Sequence, residues 1–268
     1  MFKRFIKSSA PQLLPMQPRD TDRVLRIIGQ TDSDDAHEAE GQFQRQGLAG
    51  MDVLVVNGEV LGVTGHHIDE QTEGSAWLSW TYLDERAQGE GLGGFMLDTL
   101  LGRLAAQGVR KIFIDTSDYM EDGELLYQNA HALYRSLGAE VELTFPDYFG
   151  PGENKLIFGL ENPQYAGGAP ATPPGAGGVD ITGLDAASET DDAAKILWEE
   201  GEPGFRGMEA QVRRLDEGGA RFALMTLPTD LSQIHDSTLR GFRFEPAGIL
   251  PDYYNRGLHQ HWWVRYPN

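Results

Sequence analysis

The segment WLSWTYLDERAQGEGLGG, residues 77–94, decides how the rest of the chain is read. An apolar run from Trp77 to Leu83 reads as a strand. A polar turn follows, then a glycine loop from Gln88 to Gly94 that opens a helix. Glycines let a backbone come close to a ligand. The free N–H groups and dipole at the helix start favour negative charge. Strand, glycine loop and helix together make a cradle for phosphates, and the ligand it suits carries a pyrophosphate.

The elements on either side extend this unit. Gln12–Met16 reads as a short strand, and Arg19–Gln30 as a helix with an apolar stripe of Val24, Leu25, Ile27 and Ile28. Asp32–Gly47 is polar and helical in pattern, with Phe43 its main core residue, so it faces solvent or substrate. Asn57-Gly58 between two β-branched runs is a hairpin signal, and Ser75–Leu83 completes a three-stranded meander. A helix over Phe95–Gln107, a strand over Lys111–Asp115, a helix over Glu124–Leu137 and strands over Glu140–Phe145 and Lys155–Leu160 follow. Residues 162–178 are almost all Pro, Gly and Ala, which reads as a linker. The expected division is therefore 1–161, a linker at 162–178, and 179–268.

The last part echoes the first. Phe145-Pro146-Asp147-Tyr148-Phe149 is matched by Leu250-Pro251-Asp252-Tyr253-Tyr254, each after a helix-like stretch and before a final strand. Gly201, Gly204 and Gly207 precede a helical run to Gly218 and a strand over Arg221–Leu227. This reads as a partial internal repeat. It has no Gln-x-x-Gly-x-Gly loop and no evident full meander, so it is expected to bind no cofactor.

Composition narrows the chemistry. The chain has 268 residues, no cysteine and a formal charge of −19. That excludes disulfides, thiolate zinc sites and a cysteine nucleophile. The charge argues against nucleic acid and suits a cationic partner by steering, while also serving solubility. No stretch has the ~20 apolar residues of a membrane span. The basic Met1–Lys7 segment has no signal-peptide core after it. A cytoplasmic protein is expected, with no membrane or nucleic-acid partner and no metal.

Gly89-x-Gly91-x-x-Gly94, with Asp115 at the end of the next strand, also matches a dinucleotide fingerprint. Its context does not. The polar run Asp84–Gln88 separates strand from glycines, and the loop follows an antiparallel meander rather than opening a parallel sheet.

Gln88-x-x-Gly91-x-Gly93 instead resembles the acetyl-CoA loop of the GNAT superfamily of acyltransferases. The order of elements is similar too. Ala130-x-x-Leu133-Tyr134-x-x-Leu137-Gly138 resembles a second signature of that family, and residues 147–156 resemble a common ending of its members. The resemblance spans roughly residues 12–161. It implies an α/β (α+β) fold, with a mixed, mostly antiparallel central sheet flanked by helices and a smaller partial repeat after it. It implies an N-acetyltransferase that moves an acetyl group from acetyl-CoA, as cosubstrate, to a primary amine of a small molecule or peptide by direct attack. The alternative is a non-catalytic acyl-CoA-binding or interaction module.

The resemblance also assigns residues. Gln88, Gly89, Glu90, Gly91, Leu92, Gly93 and Gly94 are expected to hold the pyrophosphate, with Gln88 in place of the more usual Arg. A backbone N–H at a strand bulge near Tyr82 and Leu83 is expected to polarise the thioester carbonyl. Tyr134 is the expected acid for the leaving thiolate. The family's frequent Asn at the start of that helix corresponds to Tyr127 here, with Asn129 two residues on. The base stays open among Asp84, Glu85, Asp115, His66 and His67, with Glu85 just past the strand the leading choice. The acidic turn Glu121–Glu124 is a candidate for selecting a cationic amine. Trp262, Trp263, Tyr253 and Tyr254 are either core or part of an acceptor pocket. The protein is a pseudo-dimeric monomer or a homodimer.

Overall fold

In the computed structural model, residues 10–167, 177–187, 190 and 192–267 are described. Most of the expected linker (residues 168–176) and the basic Met1–Lys7 segment lie outside them.

The first part of the chain forms a seven-stranded sheet. Its strands are β1 (Gln12–Pro15), β2 (Met51–Val56), β3 (Glu59–Asp69), β4 (Ser75–Leu83), β5 (Lys111–Ser117), β8 (Glu140–Gly150) and β9 (Glu153–Glu161). A small separate hairpin, β6 (Met120–Glu121) with β7 (Glu124–Leu125), lies between β5 and β8 in the chain. The spatial order is β1-β2-β3-β4-β5-β9-β8, antiparallel except where β4 meets β5. The fold class is therefore the mixed, mostly antiparallel one expected.

Two helix pairs cover the sheet. Helices α1 (Thr21–Ile28) and α2 (Ser33–Gln46) bury Val24, Ile28, Ala39 and Phe43 against Val53 and Val63. Helices α3 (Leu92–Ala106) and α4 (Gln128–Ser136) cover the opposite face, where Leu54, the pleat neighbour of Val53, points. On α3, Met96, Leu97, Leu100, Leu101 and Leu104 are all buried, each leucine contributing roughly 2 kcal/mol. The helix expected over Glu124–Leu137 starts only at Gln128. Asp122 and Gly123 adopt positive φ of 51° and 86°, which closes the β6–β7 hairpin instead. The acidic turn Glu121–Glu124 is the tip of that hairpin.

The second part forms a six-stranded sheet from β10 (Gly178–Ala186), β11 (Ala193–Gly201), β12 (Gly204–Arg206), β13 (Phe222–Pro228), β14 (Glu245–Asn255) and β15 (Leu258–Arg265), with helices α5 (Met208–Gly218) and α6 (Thr229–Gly241). Its order is β12-β10-β11-β13-β15-β14. Several details match the first sheet. Strands β11 and β13 pair in parallel, as β4 and β5 do. Helix α5 starts from a left-handed glycine, Gly207, as α3 starts from Gly91. Asp147 and Asp252 both take positive φ, 51° and 56°. The Asp147 carboxylate accepts from the Gly152 N–H and its N–H donates to Asn154. Asp252 does the same with Gly257 and His259. This second sheet fits a partial repeat.

The two sheets share a core in which Phe113, Phe145 and Tyr148 meet Phe222, Leu250, Tyr253 and Trp262. Tyr253 stacks on Phe113 at 5.1 Å and its hydroxyl donates to Asp69 at 2.7 Å. Trp263 packs against α5 and α6. Tyr253, Tyr254, Trp262 and Trp263 are thus packing residues, and none reaches the cleft described below. Among the described residues no helix is long and apolar enough to cross a membrane.

Two arginines clasp the halves reciprocally. Arg110, just before β5, donates to the carbonyls of Asp252 and Tyr253. Arg221, just before β13, donates to the carbonyls of Asp147, Tyr148 and Phe149. Each arginine holds the Asp-Tyr kink of the opposite half. Arg110 is almost fully buried, so its removal strands several buried carbonyls. Arg110→Ala is expected to cost about 3 kcal/mol in urea unfolding, and Arg221→Ala, at a half-buried site, less.

Candidate active site

The site begins where the sheet divides. Strands β4 and β5 pair only from Ser75↔Lys111 to Leu78↔Ile114. Beyond Leu78 they part, and the edge of β4 facing β5 keeps backbone groups with no strand to bond. A bulge sits just past this point. Val63 opposes Tyr82 and Gly65 opposes Ser79, so Thr64 alone faces both Trp80 and Thr81. Trp80 takes φ of 44°, unusual for a bulky residue. The bulge expected near Tyr82 and Leu83 lies instead at Trp80 and Thr81.

The parting opens a cleft of about 1810 Å³. On one side lies the glycine loop. A single turn over Glu85–Ala87 follows β4, capped by Asp84. Gly89 and Gly91 take φ of 76° and 74°, a region open to glycine at little cost. Gly91 caps α3 without a side-chain bond, and the first intrahelical bond is Phe95 N–H to Gly91 O. The N–H groups of Leu92, Gly93 and Gly94 therefore have no helical partner. A Cβ on Gly93 would stand 3.0 Å from Leu133 and 3.2 Å from Leu83, so a larger residue there requires both leucines to give way. Gln88 bridges the Leu83 carbonyl and the Asn129 amide at 3.4 and 3.3 Å. Its side chain links the loop to α4.

Tyr134 reaches the bulge from α4. It is buried and packs edge-on against Phe158 at 5.8 Å. Its hydroxyl lies beside the Thr81 side chain, which bonds Thr64 at 3.0 Å. Burial, with Asp115 nearby, raises its pKa and keeps the proton on oxygen. His131, one turn earlier on α4, bonds Thr116 in the cleft wall at 3.1 Å and is held towards neutral by burial.

The rest of the cleft lining is acidic. Asp32, Asp34, Asp35 and Glu38 enter from the start of α2, Asp115 from β5, and Glu121 and Glu153 from beyond it. Asp115 pairs with Lys155 at 2.7 Å, and Glu153 accepts from Ser117 at 2.5 Å. Among the described residues neither a lysine nor an arginine lines the cleft. Asp35 accepts from the hydroxyls of Tyr82 and Tyr127, the latter at 2.9 Å, and Tyr127 also reaches Asp32 at 3.1 Å. Burial raises the pKa of Asp35 despite the Tyr82 hydrogen bond.

The expected residues separate accordingly. Tyr82, Leu83, Gln88, Gly89, Gly91, Leu92, Gly93, Gly94 and Tyr134 all line the cleft, and Glu90 is exposed outside it. Glu85 does not line it. The turn after β4 leaves its side chain in solvent, and its N–H donates to Gln30. Asp84 is fully buried and bonded by Arg23 and Arg86. His66 and His67 lie outside the lining residues. Of the base candidates only Asp115 faces the cleft. Asp35, Tyr127 and Asn129 gain their places through tertiary contacts. The polar pattern of Asp32–Gly47 marked the element but not Asp35 itself. Among the described residues no group of three or more His, Asp or Glu is arranged to hold a metal.

Residues 22–139 match the family model described as acetyltransferase (GNAT) family. No curated protein matches the chain. Solved structures that resemble it include a protein of Desulfovibrio desulfuricans assigned to the GNAT acetyltransferases, at 23% identity over 57% of this chain and 99% of that one, TM-score 0.48. The aminoglycoside 6'-N-acetyltransferase of Enterococcus faecium is 13% identical over 57% and 97%, TM-score 0.47. The ribosomal-protein-S18-alanine N-acetyltransferase of Escherichia coli is 19% identical over 59% and 97%, TM-score 0.44.

Asp84 ties the loop to α1, and this has a pH signature. The Arg86 hydrogen bond, then those from its backbone and from Arg23, hold the carboxyl well below the usual carboxylate range against the opposing effect of burial. A depressed folded-state pKa gives stability that is present above the unfolded value of about 3.9 and lost as pH falls through the folded one. Asp84→Asn is expected to cost about 3 kcal/mol at neutral pH and to flatten the loss of stability below about pH 4, read by urea unfolding across pH.

Proposed function

With a GNAT acetyltransferase domain at residues 22–139 as premise, we propose that the protein transfers the acetyl group of acetyl-CoA to a primary amine within a ternary complex. The observation that carries this reading is the meeting of Tyr134 with the bulged end of β4, beside the glycine loop.

Backbone N–H groups from Gly89 to Gly94 bind the pyrophosphate, with α3 behind them, while the Gln88 N–H donates to the Glu85 carbonyl. Among the described residues no cation lines the cleft, so phosphate binding there rests on backbone donors and the helix terminus. A backbone N–H at the Trp80–Thr81 bulge polarises the thioester carbonyl and stabilises the oxyanion, an effect worth ~3 kcal/mol. The amine nitrogen attacks the carbonyl carbon. As the C–N bond forms and the C–S bond breaks, Tyr134 delivers its proton to the departing sulfur. The amine's surplus proton leaves through water to a cleft carboxylate, for which Asp115 replaces Glu85 as candidate.

Residues 179–268 are read as a partial second copy without a donor site, packed on residues 1–161 as a partner subunit would be. The matched Asp147 and Asp252 kinks and the reciprocal arginines support that division.

Acetyl-CoA is expected to raise the unfolding temperature by about 5 °C, NAD to leave it unchanged. Tyr134→Phe is expected to lower kcat by roughly 10²-fold with acetyl-CoA binding retained. Unchanged turnover in that variant removes Tyr134 as the acid. Binding without transfer across an amine panel favours the non-catalytic acyl-CoA module.

A further inference from the structure

We infer that the acceptor is an amine carrying a second positive charge, and that Asp35, clamped by Tyr82 and Tyr127, holds that second charge. The inference rests on the acetyltransferase reading above and concerns the half of the cleft that reading leaves to the acceptor.

The argument starts from the geometry of one carboxylate. Both tyrosine hydroxyls donate to the same oxygen, Asp35 Oδ2. Among the described residues, Oδ1 takes no hydrogen bond and no lysine or arginine pairs with Asp35. Burial raises the pKa of both phenols, which keeps them as donors, and Asp35 itself is penalised by burial with Asp32 and Asp34 adding like charge. A carboxylate fixed by neutral donors, partly stripped of water and without a counter-ion, is stabilised by an incoming cation. Its orientation is set beforehand, so little ordering remains to be done on binding.

The surroundings carry the same sign. Among the described residues seven carboxylates line the cleft and no basic side chain does. An anionic acceptor would enter against all of them. A cation is drawn in, and low-dielectric walls focus the field.

Position then says which nitrogen Asp35 holds. An ammonium seated on a carboxylate is stabilised in its charged form and has no lone pair with which to attack. The nitrogen at Asp35 is therefore not the reacting one. Tyr82 lies two residues beyond Trp80 on the same strand, roughly 7 Å along it. The tyrosine that holds Asp35 therefore springs from the strand segment next to the bulge. An acceptor with two basic nitrogens separated by a short chain can place a neutral amine at the bulge and an ammonium at Asp35.

The test compares 1,4-diaminobutane with n-butylamine, of equal carbon chain length, by titration calorimetry with and without CoA. The diamine is expected to bind at least about tenfold more tightly, with the gap closing between about 50 and 500 mM salt. Equal binding of the two amines, or a gap indifferent to salt, overturns the proposal. Asp35→Asn is expected to bring the diamine-to-monoamine ratio of kcat/KM towards one. A ratio that survives the substitution, or an equal loss for both amines as a general base would give, also overturns it. If that variant does not fold, Tyr127→Phe, which loosens the clamp, is expected to lower the same ratio, and an unchanged ratio overturns the proposal. CoA binding in the same titration reports separately on the donor site: its absence overturns the acetyltransferase reading, while the amine comparison still judges Asp35.

Discussion

The structure depends on one interruption. Strands β4 and β5 share four residue pairs and then separate after Leu78 and Ile114. A parallel pair that continued would bury the end of β4 and leave no cleft. The separation exposes backbone groups inside the protein that are free to bond a ligand. The bulge at Trp80 and Thr81 keeps this end of β4 bent, and Trp80 holds a positive φ to do so. Strained backbone of this kind persists where the surroundings over-determine it. Here Trp80 is fixed through Gln42, Thr81 through Thr64 and Tyr134, and Tyr82 through Asp35.

Those anchors divide the labour across the cleft. Tyr134 and the glycine loop stand on the α3–α4 side, and Asp35 and Tyr127 stand towards α2. Asn129 links Gln88 of the loop to the start of α4, and Tyr127 immediately before that helix reaches the acidic side. A short stretch therefore touches both halves. The second sheet stiffens the scaffold from behind. Its shared aromatic core and the Arg110 clasp brace the start of β5, while Arg221 holds the Asp147–Phe149 kink of β8, where Phe149 lines the cleft.

Much of this was legible in the chain, and the failures have physical causes. The glycine loop and Tyr134 were visible because their spacing is local: a left-handed turn needs glycine, and an amphipathic helix fixes which face its tyrosine shares. The bulge was misplaced by two residues because its position depends on which β3 residue lies opposite, a matter of register. Glu85 fell away because a single turn after β4 rotates it to solvent. Glu124 belongs to a hairpin because Asp122-Gly123 suits a tight turn better than a helix start. Asp35 was hidden because its role depends on tyrosines 47 and 92 residues away. The match between the Asp147 and Asp252 segments was readable, whereas the reciprocal arginines are a property of packing alone.

A crystal structure with CoA bound bears most directly on the central claim. The account predicts the pyrophosphate within hydrogen-bond distance, about 3 Å, of N–H groups between Gly89 and Gly94, with the thiol in the β4–β5 gap facing the Tyr134 hydroxyl. CoA bound elsewhere, or lying in the cleft with its sulfur turned away from Tyr134, would contradict it.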